Sequence, residues 1–255
     1  MSLVTAEVVE GAGESLARLY YKSETGSTND DLIVLARSGA AEKTVVVAEV
    51  QTKGRGRRGS DWHCAPGEAL AFSYLADWKK VCERRLLPSL RSGLAIAMAL
   101  ESFGVKVGVK WPNDLLINDR KVAGILTEVS GEALVIGIGL NVSVMDFPEV
   151  LRGSATSVLK ETGLAIGREE LLAELIRQLE IAFLTEDSLT LSKLRERCAL
   201  TGRAVALDHH GERVEGHVRG LSDEGELILF NGHTHLVINQ ASEIRFLDST
   251  RSALG

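Results

Sequence analysis

Apolar positions along the chain fall into contrasting textures. Residues 44–50 and 69–75 are short runs, β-branched or nearly all apolar, a pattern that predicts strands covered on both faces. Residues 86–103 carry Leu90, Leu94, Ile96, Ala97, Met98 and Leu100, too apolar all round for a surface helix, so they predict a helix packed on the sheet. Residues 168–184 place Leu171, Leu172, Leu175, Ile176, Leu179 and Phe183 at helical spacing, with Glu169, Glu170, Glu174, Arg177 and Glu180 facing away. That is the pattern of an amphipathic helix. Residues 114–118, 122–129 and 133–140 read as consecutive antiparallel strands joined by turns at Asn118-Asp119-Arg120 and Ser130-Gly131-Glu132. Nearer the start, residues 18–22 predict a strand. Ser27-Thr28-Asn29-Asp30-Asp31 then opens a helix with a cap hydroxyl and two carboxylates at its positive end, and Gly39 stops it.

After Cys198 the pattern changes to short strands with glycine turns, at 203–207, 214–218, 227–230, 236–238 and 244–247. The expected fold is therefore α+β. A main domain over residues 1–200 has a mixed or antiparallel sheet with packed helices, and a small barrel-like β domain fills residues 201–255. No internal repeat or low-complexity tract interrupts this reading.

Of 255 residues, 45% are hydrophobic, enough for one sizeable core and a small second one. No stretch approaches the roughly 18 to 20 apolar residues a spanning helix needs, and the first seven residues lack a signal-peptide pattern. A cytoplasmic protein without membrane contact is the expectation. Cys64, Cys82 and Cys198 are odd in number and far apart, which predicts free buried thiols rather than a disulfide framework or a zinc site. The histidines, His209-His210 and His233 and His235 among them, fall mostly in the β domain, where solvated strand positions explain them better than metal binding. A formal net charge of -6 argues against general nucleic-acid binding, which needs broad basic surface.

Against that acidic background, Lys53, Arg55, Arg57 and Arg58 stand within six residues and create a local positive field suited to a phosphate. Gly54-x-Gly56-x-x-Gly59 matches a dinucleotide fingerprint and follows a predicted strand. However, the next residues, Ser60-Asp61-Trp62-His63-Cys64-Ala65-Pro66-Gly67, have no helical period and end in a turn. A Walker A loop is excluded as well, for want of a terminal Gly-Lys-Ser/Thr. Glycines that permit close approach and arginines with forked donors predict a lid over a phosphate-bearing ligand; alone, a solvated loop without a role would explain the run as well.

Lys110-Trp111-Pro112-Asn113-Asp114 is a second concentration of chemistry, followed by Arg120-Lys121-Val122-Ala123-Gly124. Turn chemistry accounts for Asn113-Asp114 taken alone, and a solvated hairpin accounts for Lys121. Gly124, Gly137 and Gly139 lie inside predicted strands, where glycine commonly marks close approach by a ligand or another backbone.

Together, in this order, the two motifs resemble those of the biotin protein ligases, and the resemblance extends from about residue 23 to 247. It implies a class II synthetase-like catalytic domain with a C-terminal SH3-like β-barrel. It also implies a two-step reaction: the biotin carboxylate attacks the α-phosphate of ATP to give biotinyl-adenylate, and a lysine of a biotin carboxyl carrier domain then takes the acyl group. By the same resemblance Ser27, Thr28 and Asn29 contact the ureido ring, and Gln51, Gly54, Arg55, Gly56, Arg57, Lys121 and Gly124 complete the biotin site. ATP falls to Arg57, Arg58, Trp62, Lys110, Asn113 and Asn141, with Asp114 a candidate for magnesium. Arg55, Arg57 and Lys121 would lower the barrier electrostatically. Trp62 covers the adenine or serves as an ordinary core tryptophan. Fewer than thirty residues precede Ser27-Thr28-Asn29, which predicts no repressor domain and no nucleic-acid partner. Ser60-Asp61 departs from relatives that continue basic there and leaves the outer lid open to question. Three rival readings stand beside this one: a lipoate ligase or transferase of the same superfamily, a non-catalytic biotin-binding module, and an RNA binder. Exposed strand edges would permit a homodimer.

Overall fold

The computed structural model describes residues 4–6, 18–62 and 66–247. Cys64 and most of the opening segment read above for a signal peptide lie outside the described residues. In chain order the elements are β1 (Val4–Ala6), β2 (Leu19–Thr25), α1 (Thr28–Arg37), β3 (Val45–Gln51), β4 (Ala69–Asp77), α2 (Trp78–Val81), α3 (Pro88–Ser102), β5 (Gly108–Lys110), β6 (Asp114–Ile117), β7 (Arg120–Ser130) and β8 (Ala133–Asn141). After them come α4 (Val158–Thr162), α5 (Arg168–Leu184), α6 (Asp187–Arg197), β9 (Ala204–His209), β10 (Glu212–Leu221), β11 (Leu227–Phe230), β12 (His235–Ile238) and β13 (Ser242–Phe246).

Eight strands form one sheet in the order β1-β2-β3-β4-β8-β7-β6-β5. Within it β2 and β3 are parallel, joined by the α1 crossover, and the remaining neighbours are antiparallel. Alternation along the strands divides the sheet into two faces. Val45, Val47, Leu70, Phe72, Tyr74, Leu134, Ile136, Ile138 and Leu140 point into the main core with α3 and α5. Val46, Leu75 and Val135 point the other way, beneath Leu32 of α1. Helices on both sides explain why β3 and β4 are nearly continuous apolar runs, as the sequence predicted.

The α1 face is where small residues gather. Ala71, Gly139, Gly124 and Asp114 form one row across four strands, each opposite the next. Ser73, Gly137 and Leu126 form the neighbouring row. A sheet face with so little side-chain volume leaves a trough, and the candidate site occupies it.

The five-stranded antiparallel sheet, ordered β12-β11-β10-β9-β13, packs on the rest through a continuous apolar core that includes Val205, Leu207, Leu227 and Ile244. Trp111, 2% exposed, donates its Nε1 hydrogen to the Gly225 carbonyl at 3.0 Å. Gly225 also lies against Leu86, so close that a Cβ would come within 2.5 Å of it.

Several local expectations change. Ser27 stands at the N-cap of α1 but its hydroxyl makes no cap bond; Gln51 Oε1 accepts from the Thr28 amide at 2.9 Å instead. Cys82 is exposed and Cys198 partly so, rather than buried. The α6 helix was not anticipated; buried Arg91 organises its start by pairing with Asp187 while donating to the Ala182 and Thr185 carbonyls at the end of α5.

Candidate functional site

The trough on the α1 face deepens into a cleft of about 490 Å³, walled by the start of α1, residues 55–62, the Asn113-Asp114 turn, β7, β8 and the start of β13. That volume suits a small organic ligand.

One end is lined by neutral polar side chains. Ser27, Thr28 and Asn29 are 4%, 3% and 3% exposed, and the last two sit in a closed hydrogen-bond set. Thr28 Oγ1 donates to Gln51 Oε1 at 3.1 Å. Ser73 Oγ lies 2.7 Å from Thr28 Oγ1 and 2.5 Å from Asn29 Oδ1, and Asn29 Nδ2 donates to Glu128 Oε2 at 2.6 Å. A Cβ on Gly137 would come within 2.3 Å of Asn29 Oδ1, so the glycine admits this carboxamide. Close approach was expected at Gly137 and Gly139, and the approaching groups are the side chains of Asn29 and Trp62.

The basic loop is a short hairpin. Trp62 N donates to Gly54 O at 2.9 Å and Gly56 N to Ser60 O at 2.6 Å. Arg58 and Gly59, both at positive φ, make the turn. Side chains at 54 and 56 would collide with the returning strand, 2.8 Å from Trp62 O and 2.7 Å from Ser60 Oγ. The hairpin lays Trp62 on the glycine row, where a Cβ at Gly139 would lie 2.1 Å from the indole. Trp62 Nε1 is buried and has no acceptor among the described residues, an unmet donor beside a cleft that a ligand can satisfy.

Within this hairpin the arginines diverge. Arg55 forks onto Asp30 at 2.8 and 2.6 Å and reaches Glu128 at 3.1 Å. The hydrogen bond to Asp30 raises its pKa, against the opposing pull of burial. Arg57 instead donates to Asn113 Oδ1 at 3.2 Å, joining the two sequence motifs; burial first, and then Arg58, lower its pKa. Lys121 Nζ pairs with Asp114 at 2.7 Å and lies 5.7 Å from the Trp62 ring centre. Asn113 Nδ2 donates to Ile125 O at 3.0 Å, fixing that carboxamide against β7. Arg57, Arg58 and Lys121 thus give the second end a cationic character.

Most expected site residues converge here: Ser27, Thr28, Asn29, Gln51, Arg55, Gly56, Arg57, Arg58, Trp62, Asn113, Asp114, Lys121 and Gly124 all line the cleft. Gly54 stands at the hairpin root. Lys110 and Asn141, expected at the nucleotide, do not line it. Lys110 points toward Phe246, 5.9 Å from its ring centre, where burial lowers its pKa and nearby Asp114 opposes the shift. Asn141 is buried and donates to Thr156 O at 3.0 Å. Sequence reasoning missed Asp30 and Glu128 as partners of Arg55, and missed Ala241, Ser242 and Glu243, which bring β13 to the cleft. A residue at φ +52°, Glu243, marked no motif that could have revealed this. Asp114 is the candidate metal ligand, but its pairing with Lys121 already neutralises it, and no group of three or more His, Cys, Asp or Glu side chains among the described residues could hold a metal. This arrangement does not fit a resident metal ion. Among the described residues no helix is long and apolar enough to cross a membrane.

Residues 24–144 match the biotin/lipoate A/B protein ligase family. Over 242 residues the chain is 34% identical to the biotin-(acetyl-CoA-carboxylase) ligase of Mycobacterium tuberculosis, covering 90% of this chain and 89% of that protein. It is 30% identical over 243 residues to the protein of the same name from Paracoccus denitrificans, covering 88% and 98%. Among solved structures, the biotin protein ligase from Aquifex aeolicus in complex with biotin and ATP is similar with a TM-score of 0.82 at 29% identity, over 89% of this chain and 98% of that one.

Proposed function

Because the chain belongs to the biotin protein ligases of the biotin/lipoate A/B protein ligase family, we propose that it activates biotin with ATP and transfers the biotinyl group to a lysine of a biotin carboxyl carrier domain. It is a ligase, with ATP and biotin as its substrates. The observation that carries the reading is the division of one cleft into an end lined by the neutral, hydrogen-bonded side chains of Thr28 and Asn29 and an end lined by Arg57, Arg58 and Lys121. Biotin has matching parts: a neutral ureido ring that needs fixed donors and acceptors, and a carboxylate that must meet a triphosphate of the same sign.

In the first step a biotin carboxylate oxygen bonds to the α-phosphorus and the bond to the β-phosphate oxygen breaks, releasing pyrophosphate. Both reactants are anions, so charge stabilisation is the protein's main contribution. Arg57 reaches toward the phosphates from the hairpin, Lys121 approaches the reacting carboxylate from β7, and Asn113 holds Arg57 in place. Trp62 covers the intermediate and offers its unmet Nε1 hydrogen. In the second step the acceptor amine attacks the acyl carbon, AMP leaves and the amine proton passes to solvent. A magnesium ion brought with ATP would supply neutralisation of phosphate charge, with no dedicated protein cage required. The cytoplasm is the compartment this chemistry suits, since ATP is its substrate. The same reading divides the chain near residue 200 into a catalytic domain and an SH3-like module, supported by the separation of the two sheets.

Pyrophosphate release with magnesium-ATP tests the reading, run with biotin, with lipoate and with neither. Release with biotin alone is expected. Release with lipoate alone would move the chain to the lipoate branch, and none with either acid would leave a binding module.

A further inference from the structure

The proposed chemistry employs Arg57 and Lys121 and leaves Arg55 without a phosphate to hold, because its guanidinium is already committed. Nη1 and Nη2 meet the two Asp30 oxygens at 2.8 and 2.6 Å, and Nη2 also meets Glu128 Oε1 and Oε2 at 3.1 and 3.2 Å. Glu128 is shared: its Oε2 accepts from Asn29 Nδ2 at 2.6 Å. Three elements therefore meet at one carboxylate, the α1 start through Asn29, the hairpin root through Arg55 and the β7 strand that bears Glu128. A lysine could not reproduce this, since one ammonium lacks the planar fork that engages Asp30 in parallel and leaves a donor for Glu128.

We infer that Glu128, with Asp30, is a positioning residue for biotin: through Arg55 it latches the root of the Gly54–Trp62 hairpin against α1, and directly it aims the Asn29 carboxamide into the pocket. The inference rests on biotin being the substrate of this cleft. Side-chain exposures of 31% for Arg55, 57% for Asp30 and 30% for Glu128 make these pairs weak sources of global stability. What they supply is geometry. Asn29 has little freedom, wedged over Gly137 and beside Ser73. Of its two amide hydrogen bonds, the one to Glu128, at 2.6 Å, is far shorter than the one to the Leu126 carbonyl, at 3.4 Å, so Glu128 is its main orienting partner.

The test compares wild type with Glu128→Gln, Asp30→Asn and the double variant in two measurements. Initial rates of pyrophosphate release give KM for biotin and for ATP separately, and brief trypsin digestion without ligand gives the rate of nicking across Lys53–Arg58. For Glu128→Gln we expect KM for biotin to rise about tenfold, as loss of a charged hydrogen-bond partner would produce, with KM for ATP moving less than about twofold. Nicking should be several-fold faster in each variant and fastest in the double one, at a thermal midpoint close to wild type. An unchanged KM for biotin, unchanged nicking, or both KM values rising together with a fall in thermal midpoint would overturn the inference. If wild type shows no biotin-dependent release, the ligase reading fails first and nicking alone judges the latch: faster cleavage in the variants upholds it, equal cleavage ends it.

Discussion

At the Asn29 end of the cleft the side chains are nearly inaccessible and bonded to one another, with Thr28 on Gln51 and Asn29 on Ser73 and Glu128. At the Lys121 end, the Arg57 guanidinium has the Asn113 carboxamide oxygen and no carboxylate partner among the described residues, and Lys121, 36% exposed in its side chain, shares one ion pair with Asp114. Under the proposed function, the contrast follows from what each end would recognise. A neutral group is selected by the placement of donors and acceptors, which has to exist beforehand or its ordering cost is taken from the binding energy. A polyphosphate is attracted by net charge, so cations left partly unneutralised are useful even where they repel one another. Arg57 carries that cost visibly, since burial and Arg58 both lower its pKa.

Lys121→Ala should have the largest effect, a fall of about a thousandfold in pyrophosphate release, because it removes a charge from the reacting carboxylate and leaves Asp114 unpaired. A fall below tenfold would mean that the chemistry does not take place at the cationic end. Arg57→Gly should act later in the sequence of events. We expect adenylate to escape roughly tenfold faster, a loss of about 1.4 kcal/mol in retention, and unchanged release measured with labelled biotin would remove Arg57 from the phosphate. Gly137→Ala tests the opposite end: its Cβ would lie 2.3 Å from Asn29 Oδ1, so Asn29 must move. Overpacking of this kind costs about 1–3 kcal/mol and should also raise KM for biotin. A normal KM at a lowered thermal midpoint would show that the neutral end tolerates an Asn29 shift.

The sequence made some of this contrast legible and hid the rest for physical reasons. Helix α5 spans the predicted residues 168–184, since its apolar and charged positions alternate with one helical period. In α6 the buried positions are Thr190, Leu191 and Leu194 among polar neighbours, a stripe too thin to register as periodicity. Residue chemistry and spacing drew attention to Arg55 and Arg57 equally. They could not separate the two, because the carboxylates that claim Arg55 lie 25 residues back on α1 and 73 residues on at β7 and come together only once the sheet has formed. Likewise a hydroxyl at the α1 N-cap is a sound local expectation, overridden by Gln51 from 23 residues further along the chain. Glycines inside strands announced crowding without naming what crowds them.

The smallest effect separates these two arginines by stability alone. Arg55→Met deprives Asp30 and Glu128 of their cation; with Asp30 57% exposed in its side chain, solvent screening holds the expected loss to about 0.5–1 kcal/mol at pH 7. The hydrogen bond from Arg55 holds the Asp30 carboxyl below its ordinary value. Its stabilisation is therefore fully present above the unfolded carboxyl pKa, about 3.9, and is lost as pH falls through the lower folded value. The gap between wild type and Arg55→Met should accordingly stay constant from pH 8 to 5 and close below about pH 4. Arg57→Met should show at most a faint window, because its only carboxylate influence is the more distant charge of Asp114 and an arginine stays charged throughout this range. Its stability should be unchanged or up by a few tenths of a kcal/mol, since a partly buried cation has been removed. Urea titrations of the three proteins at pH 7, 5 and 3.5 measure both gaps. A pH-independent loss in Arg55→Met would mean that packing of its stem, not its carboxylate partners, is what the hairpin root depends on.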